Sequence, residues 1–148
     1  MGGLRIAPRD RIEAPGYDND REALRLALKM REKIDYALKA HIGGPLGLRA
    51  LERGQVVGAK FVVLPHRGAR FGEPRDRELL DFIVEALNRF ERETGVKPVT
   101  GQDLGHTRRL SFDSSIGSLD YISARCRGCG NVDTSVPTGV GNFWTLKG

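Results

Sequence analysis

The sequence predicts an α/β domain of three layers, α/β/α, with a mostly parallel sheet. Three observations carry this expectation. Two long stretches repeat apolar residues at helical spacing, one β-branched and almost wholly apolar run lies between them, and segments of the two kinds alternate along the chain. That alternation is the pattern of a parallel sheet covered by helices. A length of 148 residues suits one domain with one core.

Residues 1–19 hold glycine, proline and scattered charge with no clear period, and read as a tail or a short edge strand. The domain proper spans 20–148. Asn19 and Glu22 have the spacing of a capping box. Ala23, Leu26, Ala27, Met30, Ile34 and Ala37 then recur at helical spacing, which predicts a helix from about Asp20 to about Lys39. Lys33 sits one turn after Met30, at the margin of that apolar face, where a lysine ordinarily snorkels to water.

Gly43-Gly44-Pro45 stops the helix, and residues 46–54 read as irregular. Gln55 to Leu64 reads as a buried strand. Lys60 is its one charge, and an uncompensated buried lysine is costly. It is either at a sheet edge with its amine in water or held in a site, and Gly58 would admit a close neighbour.

Residues 65–76 read as a polar loop. Leu79, Ile83, Ala86, Leu87 and Phe90 make the stripe of a second helix from about Pro74 to Thr94, with Gly95 as its C′ residue. Val96 to Val99 is a short β-prone run that leads through Gly101 to Asp103. A strand, a glycine, a lone acid and a polar-helical stretch over Thr107 to Phe112 would present a carboxylate at the carboxyl end of a sheet. Asp103 as a turn or cap residue is the plainer alternative. A short helix or turn is expected over 107–115, a short strand at Tyr121-Ile122, a Gly- and Cys-containing loop over 124–137, and a helix from Thr138 to Lys147.

Composition narrows the function classes. The net charge is +5, but acids and bases interleave along the helices, as in Glu91-Arg92-Glu93, which marks a solvated face. No basic stretch is interleaved with aromatics, so nucleic acid is not an expected partner. No apolar run reaches the length of a membrane span and no leader-like segment opens the chain, so a cytoplasmic protein is expected. Cys126 and Cys129 are one C-x-x-C without a second pair. They read as two free thiols in a loop, with no metal site assigned; half a zinc site, completed by His106 or His66 or by a symmetry-related subunit, is the alternative. His41, His66 and His106 read as surface or capping residues.

Four stretches together resemble the glutamate/leucine/phenylalanine/valine dehydrogenases, in their N-terminal substrate-binding and dimerisation domain. Ala23-Leu24-Arg25-Leu26-Ala27-Leu28-Lys29-Met30-Arg31-Glu32-Lys33 resembles the family's A-L-R-L-A-x-x-M-T-x-K helix. Gly58-Ala59-Lys60, followed by Phe61-Val62-Val63, resembles its G-G-K strand. Gln102-Asp103-Leu104-Gly105 resembles its acid turn, and Ser135-Val136-Pro137-Thr138-Gly139-Val140-Gly141 its S-x-x-T-x-x-G segment. The four fall in the family's order over roughly residues 20–148.

The resemblance implies reversible oxidative deamination of an L-amino acid to a 2-oxo acid with NAD or NADP. Lys33 would hold the substrate carboxylate, Lys60 would be the base, Asp103 would move the amine proton, and Thr138 would lie near the nicotinamide. A homo-oligomer is implied. The departures are specific. Lys33 and Lys60 lie farther apart than the family's two lysines, and a register without that insertion would put Gly43-Gly44-Pro45 on the G-G-K and remove the base. The strands that normally precede the first helix are mostly missing. No dinucleotide-binding fingerprint is present, because no strand precedes Gly139-x-Gly141 and Trp144 stands where a third glycine belongs. The expectation is therefore a substrate half that works with a separate Rossmann-domain chain. The alternative is a non-catalytic dimeric ligand-binding or regulatory module that kept the fold.

Overall fold

A computed structural model describes residues 2–7, 9–42, 44–65, 76–101, 106–127, 129 and 131–132. Its elements are β1 (Gly2–Ile6), α1 (Arg9–Ile12), α2 (Asn19–Lys39), α3 (Gly44–Glu52), β2 (Ala59–Val63), α4 (Asp76–Thr94), β3 (Thr100–Gly101), α5 (Ser118–Arg125) and β4 (Asn131–Val132). The protein is mixed α/β. β1 pairs in parallel with β2, and β3 with β4.

Of the two alternatives for the N-terminal stretch, Gly2–Ile6 takes the short strand, β1, in a two-stranded sheet. It runs beside β2 in the register Gly3↔Lys60, Leu4↔Phe61, Arg5↔Val62, and it also touches β3. Alternate side chains of a strand face opposite ways. Leu4 and Ile6 go into the core with Leu80, Ile83 and Leu87 of α4, Leu110, and Tyr121 and Ile122 of α5. Each such side chain contributes about 1.5–3 kcal/mol by leaving water. Phe61 continues this face and meets Phe90 of α4 edge-on, ring centroids 5.2 Å apart. Arg5 faces the other way and pairs with Glu22 of α2. The sequence hides this role because the charge that neutralises Arg5 lies on a different element.

α2 forms as its periodicity predicts, with Leu26 and Ile34 buried. Its cap is one residue earlier than expected. The Asp18 carboxylate accepts from the backbone N–H groups of Asp20 and Arg21, at 2.9 and 3.0 Å, worth about 1 kcal/mol. Glu22 does not close a capping box. It accepts from Arg5, from Arg11 at 3.1 Å and from Arg25 at 2.8 Å. α2 lies close on β2 because Gly58 has no side chain. A Cβ there would come within 2.8 Å of the Met30 carbonyl carbon.

Several elements differ from expectation. Residues 46–54 are mostly helix, since Pro45 stands in the first turn of α3, where its missing N–H costs nothing. The strand expected over 55–64 is shorter, Ala59–Val63, and its residues are half-buried. The run 96–99 is not a strand: the Val99 N–H donates to the Lys97 carbonyl at 3.1 Å, and the described ladder begins at Thr100. Residues 107–115 make turns, one closed by Asp113 accepting from the Ser115 N–H at 3.0 Å. Tyr121 and Ile122 lie in α5 rather than a strand; both are buried, with Leu119 one turn before Ile122. α4 ends as its sequence says: Gly95 has φ +69° and its N–H donates to Glu91 at 2.8 Å. Cys126 and Cys129 are joined by a disulfide instead of being two free thiols. The expected helix over 138–147 lies outside the described residues.

Candidate functional site

Lys60 is the second residue of β2, opposite Gly3 of β1. Both side-chain positions fall on the face that also carries Arg5. Because Gly3 has no Cβ, the Lys60 side chain lies over it. A Cβ built on Gly3 would stand 2.7 Å from the Lys60 Nζ. The Gly101 carbonyl oxygen comes to 3.4 Å of the same point. Three strands thus meet around Gly3: β2 supplies the half-buried lysine, β1 the gap, and β3 a carbonyl. A carbonyl oxygen is a fitting neighbour for a cation that has given up part of its hydration.

Asp103 comes two residues after Gly101 but lies outside the described residues, as does Thr138. Lys33 stands exposed on α2, one turn past Met30, where α2 touches Gly58. Lys60 is thus near the amino end of its strand. Gly3 was the part sequence reading missed. Its only signal is a glycine pair ahead of an alternating run, Gly2-Gly3-Leu4-Arg5-Ile6, which is too short to show a period.

His106 was also missed as more than a surface residue. Its Nε2 lies 2.9 Å from the Leu4 carbonyl oxygen and its Nδ1 3.0 Å from the Ser118 Oγ. A carbonyl only accepts, so Nε2 carries the proton. In a parallel strand, alternate residues turn their N–H and C=O to opposite neighbours. The Ala7 N–H goes to Val63 of β2 at 2.9 Å, so the Leu4 carbonyl points away from β2, and His106 takes it. The imidazole therefore ties the segment after residues 102–105 to β1 and to the start of α5. The Thr107 N–H donates to the same Ser118 hydroxyl at 3.0 Å.

Two other polar clusters hold the frame rather than the site. Burial pushes the Glu22 carboxyl up, but the hydrogen bond and charge of Arg25, with the charges of Arg5 and Arg11, outweigh it and hold the group below its usual range. The hydrogen bond that Tyr121 donates to Asp81, at 2.6 Å, raises the phenol, and burial and the Asp81 charge add to it. The Arg125 guanidinium covers the Tyr121 ring at 3.7 Å.

An open groove of about 550 Å³ lies at the amino ends of β2 and β3. Val57, Phe61, Phe90, Val96 and Val99 make it apolar, and Lys97 brings a charge to it. Among the described residues no three His, Cys, Asp or Glu side chains cluster as metal ligands, and no helix is long and apolar enough to cross a membrane. No protein-family model matches the chain, and no curated protein or solved structure matches it either.

Proposed function

We propose that this chain is the substrate-binding and dimerisation half of an NAD(P)-dependent amino-acid dehydrogenase, acting with a cofactor-binding domain carried elsewhere. The observation that carries the reading is the half-buried Lys60 ammonium, lying over Gly3 beside the Gly101 carbonyl, two residues ahead of Asp103. A lysine so placed does two things for an amino acid or 2-oxo acid. It attracts the anion, and its amine is the group that would exchange a proton with the substrate as a base. Lys33 holds the substrate carboxylate in this reading, Asp103 moves the amine proton, and Thr138 approaches the nicotinamide. In this reading hydride transfer belongs to the cofactor-binding domain.

The same proposal takes the strands as one sheet between two helical layers. In its support, Arg5 and Gly58 meet α2 on one face while Leu4, Ile6 and Phe61 meet α4 and α5 on the other. Cytoplasmic location and a homo-oligomer complete it. The oligomer is tested by light scattering, where a sole species of 16.3 kDa at micromolar concentration refutes it.

The exposure of Lys33 favours the second reading, a non-catalytic module that binds the same ligand class. Calorimetry of the full chain with a panel of L-amino acids and 2-oxo acids tests both. The expected result is weak binding of at least one ligand, lost in Lys60→Ala. Binding that survives Lys60→Ala removes Lys60 from the site and discards the dehydrogenase reading. The module reading is left alone if an added NAD-binding domain yields no NADH while ligand binding persists.

A further inference from the structure

We propose that Cys126 and Cys129 form a thiol–disulfide exchange site, reduced by a dithiol, that sets the order of the β3–β4 pair and through it the Lys60 site. Only the last link rests on the function proposed above.

The bond lies at the end of α5. The Cys126 N–H donates to the Ile122 carbonyl at 2.8 Å, closing the helix, and the Cys126 side chain is in the core with Tyr121 and Ile122. Cys129 is half-buried and packs against the same core. β4 begins two residues later, and among the described residues it pairs with β3 at Thr100↔Asn131 and Gly101↔Val132. Gly101 is also the residue whose carbonyl stands beside Gly3 and the Lys60 Nζ. A short path, covalent from Cys129 to β4 and then across the β4–β3 ladder, therefore joins the disulfide to the candidate site. A loop closed over so few residues gains little from constraint of the unfolded chain. The bond's main effect here is local: it fixes where the chain enters β4.

The start of this loop is pinned independently. Asn88 of α4 accepts from the Arg127 N–H at 2.6 Å and donates to the Arg125 carbonyl at 3.4 Å. Opening the disulfide leaves α5 and residues 125–127 docked on α4 and releases β4. The two sulfurs are not equivalent. Cys126 is only 6% exposed, whereas Cys129 is half-buried, so an incoming thiolate reaches Cys129.

The chemistry balances with a dithiol as the reductant. One of its thiolates attacks the Cys129 Sγ, the Cys126–Cys129 bond breaks, and Cys126 leaves as a thiolate that takes up a proton. The second thiol of the reductant then attacks its own sulfur in the mixed disulfide and expels the Cys129 thiolate, which is protonated in turn. Two electrons and two protons pass to the protein, and the dithiol becomes a disulfide.

The test is hydrogen–deuterium exchange on the full chain, air-oxidised and after dithiothreitol, with Cys129→Ser as a permanently open form. Reduction and the variant should each raise exchange at the amides of Thr100, Gly101, Asn131 and Val132 about tenfold or more, and re-oxidation should reverse the effect of reduction. α2 and α4 should not change. Exchange at those four amides that ignores reduction overturns the proposal. So does a rise shared equally by α2 and α4, or an air-oxidised chain that titrates two thiols. Calorimetry with a 2-oxo acid on both forms reads the last link, with affinity expected to fall several-fold on reduction. If exchange responds but neither form binds any ligand, the switch stands and the amino-acid reading falls.

Discussion

Two cations stand on one face of the β1–β2 pair, two rungs apart, and the molecule treats them differently. Arg5 is 9% exposed and ends on Glu22, whose carboxylate also accepts from Arg11 and Arg25. The four side chains cover one another, and they join β1 to α1 and α2. Lys60 is half-buried and lies over a glycine, near a backbone carbonyl of β3. A buried arginine with a matched carboxylate is a fastener. An ammonium set over a gap in the neighbouring strand is placed where a small anion can approach it. Residue type fits the roles: the guanidinium fork holds several oxygens, whereas the lysine amine changes its protonation state more readily.

The contrast is broken most directly by truncating each cation's arrangement in turn. Lys60→Ala should lower affinity for any amino-acid or oxo-acid ligand about 10- to 100-fold, the worth of a charged hydrogen bond, while the unfolding midpoint in urea stays within error. Calorimetry and a urea titration on the same samples check it. Loss of stability with no change in binding would reverse the two roles. Glu22→Gln should do the opposite. It leaves Arg5 buried beside a neutral amide, and a destabilisation of about 2–3 kcal/mol is expected, with ligand affinity unchanged. Urea unfolding measures it.

The same carboxylate sets the acid limb. Its folded pKa lies below the usual carboxylate value of 4.5 because the arginines outweigh burial. A group shifted down binds its proton more readily in the unfolded chain. Its contribution is therefore whole above pH 4.5 and is lost as pH falls through the lower folded value. Urea midpoints between pH 6 and pH 3 should fall less steeply for Glu22→Gln than for the native protein. Parallel curves would show that the network does not control acid stability.

Gly3→Ala is the sharpest comparison, since it moves the ammonium without removing it. A methyl 2.7 Å from the Nζ must displace it, and affinity should fall about tenfold or less with stability nearly unchanged. No change in affinity would mean that Lys60 does not bind from this position. Tyr121→Phe, far from both cations, should cost about 1 kcal/mol through the lost Asp81 hydrogen bond and leave binding alone.

What the sequence alone determined is local. α2 and α4 are read directly from apolar residues three and four apart, and Gly95 from its position after the stripe, because a helix satisfies its own backbone and writes its period into contiguous residues. Lys60 was conspicuous for a similar reason, as one charge in an apolar run. What tertiary structure decided is everything that depends on a partner distant in sequence. β1 is a glycine-led run of five residues whose place comes from β2, more than fifty residues later. β3 and β4 are two residues each and have no period to read. α5 shows only Leu119, Tyr121 and Ile122 as apolar evidence, and the core it enters makes it a helix. The gap at Gly3 has meaning only once a lysine from another strand lies across it. Strand pairing is a non-local contact, and a short strand carries too few residues to announce its neighbour.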